Sequence, residues 1–495
     1  MLIRKLQRTL LCLAILVSQL ARADVRLAKI FSSHMVLQQT QPIVVWGWAD
    51  AGEKITVTLA EQTRSATAGA DGTWRVELSA MKADGKEHTF NISGKNTVQL
   101  TDVLLGEVWL CSGQSNMGRP VDDAAIKSAD LPQIRIFNSS GDFPRKEGLD
   151  DTSGWIVCSP KSIATAGDSL GPDKGRRAFS EVAFHFGAKL FQELKVPIGL
   201  IQVNCGGSTA ADWTPMPEIG AKLVEGEKIE KITHKAGLLY WVRLRGMIPI
   251  ALRGVIWYQG EDDGRNPKYG DDLRRLIESW RTLWNRPELP FFIAQIAPTT
   301  YAGGMLGVWE GELKIFGSIP NTGLAPSNDI YDGTPNKDFA ERIDPAIGWP
   351  LAGSSNPHPT GRPLVARRLA DIALVKTYGR PERTVFGPVY ESQKTGDGKM
   401  VVTFKFAGGG LTTSDGKDPN WFELSDGKNE GGRLKYVKAQ AKIVSENTVE
   451  ISAPDMKEPK FVRFGWHSLA RFNLKNKDGL PAFPFRTDDQ PNAAR

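Results

Sequence analysis

The spacing of apolar positions changes twice along this chain. From residue 24 to about 104, apolar and polar positions alternate in short runs. Ile43-Val44-Val45-Trp46-Gly47-Trp48, Lys54-Ile55-Thr56-Val57-Thr58-Leu59, Thr73-Trp74-Arg75-Val76-Glu77-Leu78 and Thr89-Phe90-Asn91-Ile92-Ser93 are rich in β-branched and aromatic residues. Turns such as Asp71-Gly72 and Asp84-Gly85 separate them. A period of two with glycine turns predicts a small N-terminal β-sandwich domain over 24–104. From 105 to 379 the runs at 107–111, 134–137, 198–204, 254–258 and 291–296 become nearly continuously apolar. Between them, 179–194, 271–284 and 364–376 carry apolar residues at helical intervals, and Pro197 closes the first. Strands buried on both faces, alternating with amphipathic helices, predict an α/β fold: a parallel sheet covered on both sides, three layers deep. Strand-like runs return at 400–406, 448–451 and 460–464, broken by Gly408-Gly409-Gly410 and Gly431-Gly432. They predict a C-terminal β-rich domain over 384–495. No repeat of fixed period is visible.

The first 23 residues break this pattern. Arg4, Lys5 and Arg8 precede an apolar run at 10–20, and Ala21-Arg22-Ala23 is a small-x-small cleavage site. This reads as a secretory signal peptide cleaved after Ala23, with a periplasmic or extracellular destination; a retained anchor is the weaker alternative. No other run approaches spanning length. Four basic residues and no acidic ones leave with the signal, taking the formal net charge from +6 to +2. Nothing then argues for a nucleic-acid partner or, after cleavage, for a membrane. Cys111, Cys158 and Cys205 remain, an odd and sparse set that reads as buried thiols, with one disulfide and a spare thiol as the alternative. No spacing resembles a metal site, and no metal or organic cofactor is expected.

The chemistry sits where strands should end. The strand at 107–111 runs into Cys111-Ser112-Gly113-Gln114-Ser115-Asn116-Met117. That places Ser115 at the C-terminal lip of the sheet, where ligands bind in open α/β folds. The next strand ends in Asn204-Cys205-Gly206-Gly207-Ser208-Thr209, whose glycines let backbone N–H groups approach a ligand. A third ends in Trp257-Tyr258-Gln259-Gly260-Glu261-Asp262-Asp263, an amide and three carboxylates at the rim. A fourth loop, Ser354-Ser355-Asn356-Pro357-His358-Pro359, brackets one histidine with prolines. Each has a bland reading: a turn cap, a tight strand-to-helix turn, a solvated acidic turn, a structural histidine. Their convergence at strand ends favours chemistry. His358 is the natural general base, since an imidazole titrates near ~6.5. His34, His88 and His467 lie in the β segments, His185 inside an apolar helix and His234 in a Lys-rich stretch without a glycine turn.

These segments resemble the sialate O-acetylesterase-like family of SGNH hydrolases, a group of serine carbohydrate esterases. The resemblance rests on 106–117, on Gly206-Gly207-Ser208-Thr209 with Trp213, on Trp257-Tyr258-Gln259-Gly260-Glu261, and on His358-Pro359 with Arg367-Arg368-Leu369-Ala370. Met35-Val36-Leu37-Gln38 and Asn476-Lys477-Asp478-Gly479-Leu480-Pro481-Ala482 extend it over nearly the whole mature chain. It implies an SGNH-type catalytic domain with Ser115 as nucleophile and His358 as base. The N–H groups of Ser115 and Gly207 would form the oxyanion hole, with Gln259 as a third donor. It also implies a secreted enzyme that removes O-acetyl groups from a carbohydrate through an acetyl-enzyme. The family places an aspartate two residues before the histidine, where this chain has Asn356. Glu261 is the expected replacement for that acid, with Asp329, Asp332 and Asp344 of an apparent insertion as alternatives. Two other functions stay open: a carbohydrate-binding protein that has lost turnover, and a deacetylase of xylan or pectin.

Overall fold

One strand organises the molecule. The computed structural model describes residues 24–139, 154–166, 178–218, 236–330, 349, 351, 355–381 and 383–490. At its centre is β1 (Thr97–Gly113), 17 residues long and buried from Val103 onward. Residue 104, where a domain boundary was expected, lies inside it. The first part of β1 pairs antiparallel with His88–Ser93, and Leu104–Gly106 pairs with Val36–Gln38. The remainder pairs with strands of the α/β region. Val36–Gln38, Lys54–Leu59, Gln62–Thr67 and His88–Ser93 therefore join the same 11-stranded sheet, while Arg26–Leu27, Ile43–Trp48 and Thr73–Leu78 form a separate three-stranded sheet; the apolar residues of both belong to the same core cluster.

The central part of the sheet has the order β3-β2-β4-β1-β5-β6-β7. These are β2 (Ile134–Asn138), β3 (Trp155–Val157), β4 (Ile198–Asn204), β5 (Gly254–Tyr258), β6 (Phe291–Ala294) and β7 (Thr322–Ala325). All pairs are parallel except β2 with β3. In register, Gly113 stands opposite both Asn204 and Tyr258. Three strands thus end in one row, and the loops that follow converge. Gly113 makes this possible. Its φ is +141°, and a Cβ there would lie 2.1 Å from the Tyr258 carbonyl oxygen.

The named helices are α1 (Ser115–Gly118), α2 (Glu181–Leu194), α3 (Tyr269–Leu283), α4 (Leu306–Ser318) and α5 (Arg362–Lys376). They cover both faces, because alternate residues of a strand point opposite ways. Trp109 of β1 points to one face, against Phe186 of α2 at 5.1 Å and Phe292 of β6 at 5.8 Å. Trp257 of β5 points to the other, against Trp213 at 6.2 Å and Trp280 of α3 at 5.7 Å. α2 packs on α5, and α3 on α4. α3 buries Tyr269, Leu273, Leu276, Ile277 and Trp280, one stripe of an amphipathic helix. Ser180 caps α2 by accepting from the Ala183 N–H, so the helix begins two residues later than its apolar run. α4 was not among the expected helices. Its glycines obscure the pattern, yet Gly311 is what lets α4 approach α3, since a Cβ there would lie 2.9 Å from the Gly270 nitrogen.

The C-terminal β-rich region has its own core. A four-stranded sheet contains Lys399–Lys405 and Thr448–Ser452, and another contains Phe422–Ser425 and Phe461–Phe464. Met400, Val402, Phe404, Phe422, Leu424, Val449, Ile451 and Phe464 fill the space between. Cys111, Cys158 and Cys205 are buried thiols, none of them in a disulfide. Burial pushes the Cys158 thiol up to about 12. The expected signal peptide lies outside the described residues.

Candidate active site

Three loops meet above the row of strand ends. After β1, Gln114 ties its loop to the one that follows β5. Its N–H donates to the Tyr258 carbonyl (3.0 Å), its side-chain oxygen accepts from the Gly260 N–H (3.2 Å), and its Nε2 donates to Asp262 (2.8 Å). Ser115 then opens α1 and is partly exposed, while Asn116 and Met117 behind it are buried. As the first residue of a helix, Ser115 has an N–H with no intrahelical acceptor. The loop after β4 lies alongside. A Cβ on Gly206 would be 3.7 Å from that of Ser115, and Gly207 adopts φ +69° beside open space. Asp263 braces the arrangement, accepting from the Ala210 N–H (2.9 Å) and from Asn266 (2.9 Å).

His358 arrives from the loop before α5. Its Nε2 lies 2.8 Å from Ser115 Oγ. On the other side of the ring, Nδ1 lies 3.2 Å from Asn356 Oδ1, which also accepts from the His358 N–H at 3.1 Å. An amide oxygen only accepts, so Nδ1 carries the proton and Nε2 presents its lone pair to the serine hydroxyl. The tautomer thus follows from the hydrogen-bond network. The imidazole is held down to about 4, first by burial and then by the positive charges of Arg119 and Arg362. Arg362 is itself bound to Glu181 at 2.9 Å.

Glu261 does not fill the role expected of it. It is fully buried, and its carboxyl accepts from Asn116 Nδ2 rather than from His358. Burial pushes it up to about 7, only partly offset by its own backbone N–H and the Asn116 amide. Gln259 does not supply a third oxyanion donor either. Both hydrogens of its amide are engaged, by the Ser208 carbonyl (3.0 Å) and by Asp263 (2.7 Å). Asp329 is held in a bidentate pair by Arg368, at 2.7 and 2.6 Å. Asp332, Asp344 and His234 lie outside the described residues. Among the described residues no carboxylate hydrogen-bonds His358. His185 is half-buried on α2, stacked edge-on against Phe184.

Reading the sequence had singled out neither Asn116 nor the cations Arg119 and Arg362. Asn116 donates to Pro357 O at 2.8 Å as well as to Glu261, and so touches the histidine loop. Its one sequence signal is its place directly after the serine.

The site falls in a span with known relatives. Residues 105–339, which include Ser115, Gly207 and Glu261, match the family model for carbohydrate esterase, sialic acid-specific acetylesterase. The sialate O-acetylesterases of Homo sapiens and Pongo abelii are each 28% identical over 408 residues, covering 74% of this chain and 73% of theirs. A carbohydrate acetylesterase from Xanthomonas citri, known from a crystal structure, is 27% identical with a TM-score of 0.76, covering 94% of this chain and 100% of that one. Residues 105–339 thus resemble the sialic acid-specific acetylesterase family of carbohydrate esterases, and most of the chain is similar to sialate O-acetylesterases and to a carbohydrate acetylesterase.

Proposed function

We propose that this carbohydrate esterase removes O-acetyl groups from a sugar, with Ser115 as nucleophile and His358 as general base. The observation that carries the reading is the 2.8 Å contact between His358 Nε2 and Ser115 Oγ, with the ring oriented from behind by Asn356. The reaction divides into two displacements. His358 Nε2 takes the hydroxyl proton as Ser115 Oγ adds to the acetyl carbonyl carbon. The oxyanion forms against the N–H groups of Ser115 and Gly207. The C–O bond to the sugar breaks, and the leaving alkoxide receives the proton from Nε2. Water, deprotonated by the same histidine, then adds to the acetyl-enzyme carbonyl; the C–O bond to Ser115 Oγ breaks, Oγ takes the proton back from Nε2, and acetic acid leaves. In this reading the catalytic unit is an SGNH-type domain over residues 105–379, and the mature chain starts at Asp24 in the periplasm or outside the cell.

Mixing the enzyme with p-nitrophenyl acetate tests the mechanism. A nitrophenol burst equal to the enzyme concentration is expected, and Ser115→Ala should abolish it, since losing a nucleophile costs orders of magnitude. No burst and no turnover would favour the binding-protein reading that Asn356 suggests. Acetate release compared across O-acetylated sialic acid, acetylxylan and acetylated pectin tests the substrate. Sialic acid is expected to lead, in keeping with the relatives' names.

A further inference from the structure

We infer that Asn116 and Glu261 form a positioning pair that holds the His358 loop against Ser115, and that Glu261 is not the charge partner of the histidine. The inference builds on the serine-esterase reading and adds two residues to it. The side chain of Asn116 has two amide hydrogens, and each has an acceptor: the Glu261 carboxyl and Pro357 O at 2.8 Å. Its Oδ1 is buried without a hydrogen bond. The reverse orientation would set that oxygen against two acceptors, so chemistry fixes the amide as it stands. Pro357 O belongs to the peptide that links directly to His358. One side chain, on the residue after the nucleophile, therefore joins the serine's helix, the loop after β5 and the backbone of the histidine loop.

The arrangement is costly for stability. Glu261 Oε2 is buried without a hydrogen bond, as is Oε2 of Glu312, on which the Glu261 charge acts. Such unsatisfied groups are uncommon in cores and call for a reason. Positioning supplies one. Asn356 orients the imidazole ring, but it belongs to the same loop and cannot hold that loop to the protein. The Asn116 tether does. A misplacement of about 1 Å costs a reacting pair on the order of a hundredfold in rate.

Three variants test this, each with kcat, KM and a pH profile on p-nitrophenyl acetate and a crystal structure. Asn116→Asp keeps the shape but removes both donors. Its kcat should fall about a hundredfold with little change in KM, and His358 Nε2 should leave Ser115 Oγ. Glu261→Ala should fall by a similar factor. Glu261→Gln still offers an oxygen to Asn116, so it should lose no more than about tenfold and keep the acid limb of kcat/KM in place. Wild-type kcat together with an unmoved histidine in Asn116→Asp would overturn the inference. So would a Glu261→Gln variant as poor as Glu261→Ala with its acid limb displaced to lower pH, the mark of a lost charge partner. The Glu261 pair decides the matter even if Asn116→Asp does not fold. Should Ser115→Ala retain hydrolysis, the esterase reading fails separately, and the crystallographic His358 position still decides the tether.

Discussion

At the scale of single residues, the site is defined by what faces His358. An amide oxygen fixes the tautomer but brings no negative charge, and two arginines stand nearby. Burial first, and then those two positive charges, hold the imidazole down to about 4. If His358 acts as the proposed base it must be unprotonated, so kcat/KM should hold its plateau well below pH 6 and fall only near pH 4, which a pH–rate profile will show. Asn356→Asp should reverse the electrostatics. A carboxylate beside Nδ1 stabilises imidazolium, so the acid limb should move up in pH and kcat at pH 7 should rise at least about tenfold. No change in either quantity would mean that charge at this position is irrelevant. His358→Ala should be as damaging as Ser115→Ala, and the double variant little worse, since the two act as one unit. Glu261 has the opposite linkage. Its folded value, about 7, lies above its unfolded value, so it favours the native state at low pH and loses that contribution as pH rises through 7. Glu261→Gln, which never ionises, should gain in melting temperature relative to wild type between pH 5 and pH 8.

At the scale of elements, the site depends on how closely three strands end together. Gly113→Ala would drive a Cβ into the backbone of β5, where no side-chain rotation relieves it. A loss of about 3 kcal/mol or more is expected in urea unfolding, together with activity. Gly207→Ala is the contrasting case. Its Cβ meets open space, and only the left-handed φ is strained, a cost of about 1–2 kcal/mol. Its kcat should still fall, because the strain shifts the N–H proposed for the oxyanion. The chain ahead of the histidine loop is anchored at a distance. Trp349 stacks on Trp421 with Lys438 3.8 Å above its ring, and Leu351 bridges to Ala470.

At the scale of the whole molecule, the C-terminal β-rich region, which has its own core, also holds Trp349 and Leu351 ahead of the histidine loop. Trp349→Ala should lower kcat several-fold while the rest of the protein stays folded; an unchanged kcat would make the contact purely structural. At the other end, β1 belongs to the N-terminal strands and to the α/β region alike. Limited proteolysis should therefore yield no stable fragment ending near residue 104, and thermal unfolding should show the two parts melting together.

Periodicity alone was enough to find the main buried strands and three of the four longest helices. The strands at Lys54–Leu59, Thr73–Leu78, Ile198–Asn204 and Gly254–Tyr258 were readable to the residue because each buries one or both faces. Gln62–Thr67 was not, because it buries almost nothing and leaves no apolar signature. The full length of β1 was hidden by Asp102, which bends it at φ 54°, and by Gly106, both of which read as breaks. Ser115, Gly207 and His358 were likewise expected at strand ends, and the structure sets His358 Nε2 against Ser115 Oγ there, with Gly207 in a left-handed turn. Glu261 and Gln259 were recognised as belonging to the site but assigned the wrong partners. A sequence shows that a carboxyl lies near a nucleophile. It does not show which buried amide turns toward it. That choice is made by packing, which directs Glu261 to Asn116 and Gln259 to Ser208 and Asp263. Residue types and spacing were enough to locate the loops that meet at the strand ends. Only the tertiary structure decided which atoms face one another, because hydrogen-bond partners inside a core are set by contacts between segments far apart in the chain.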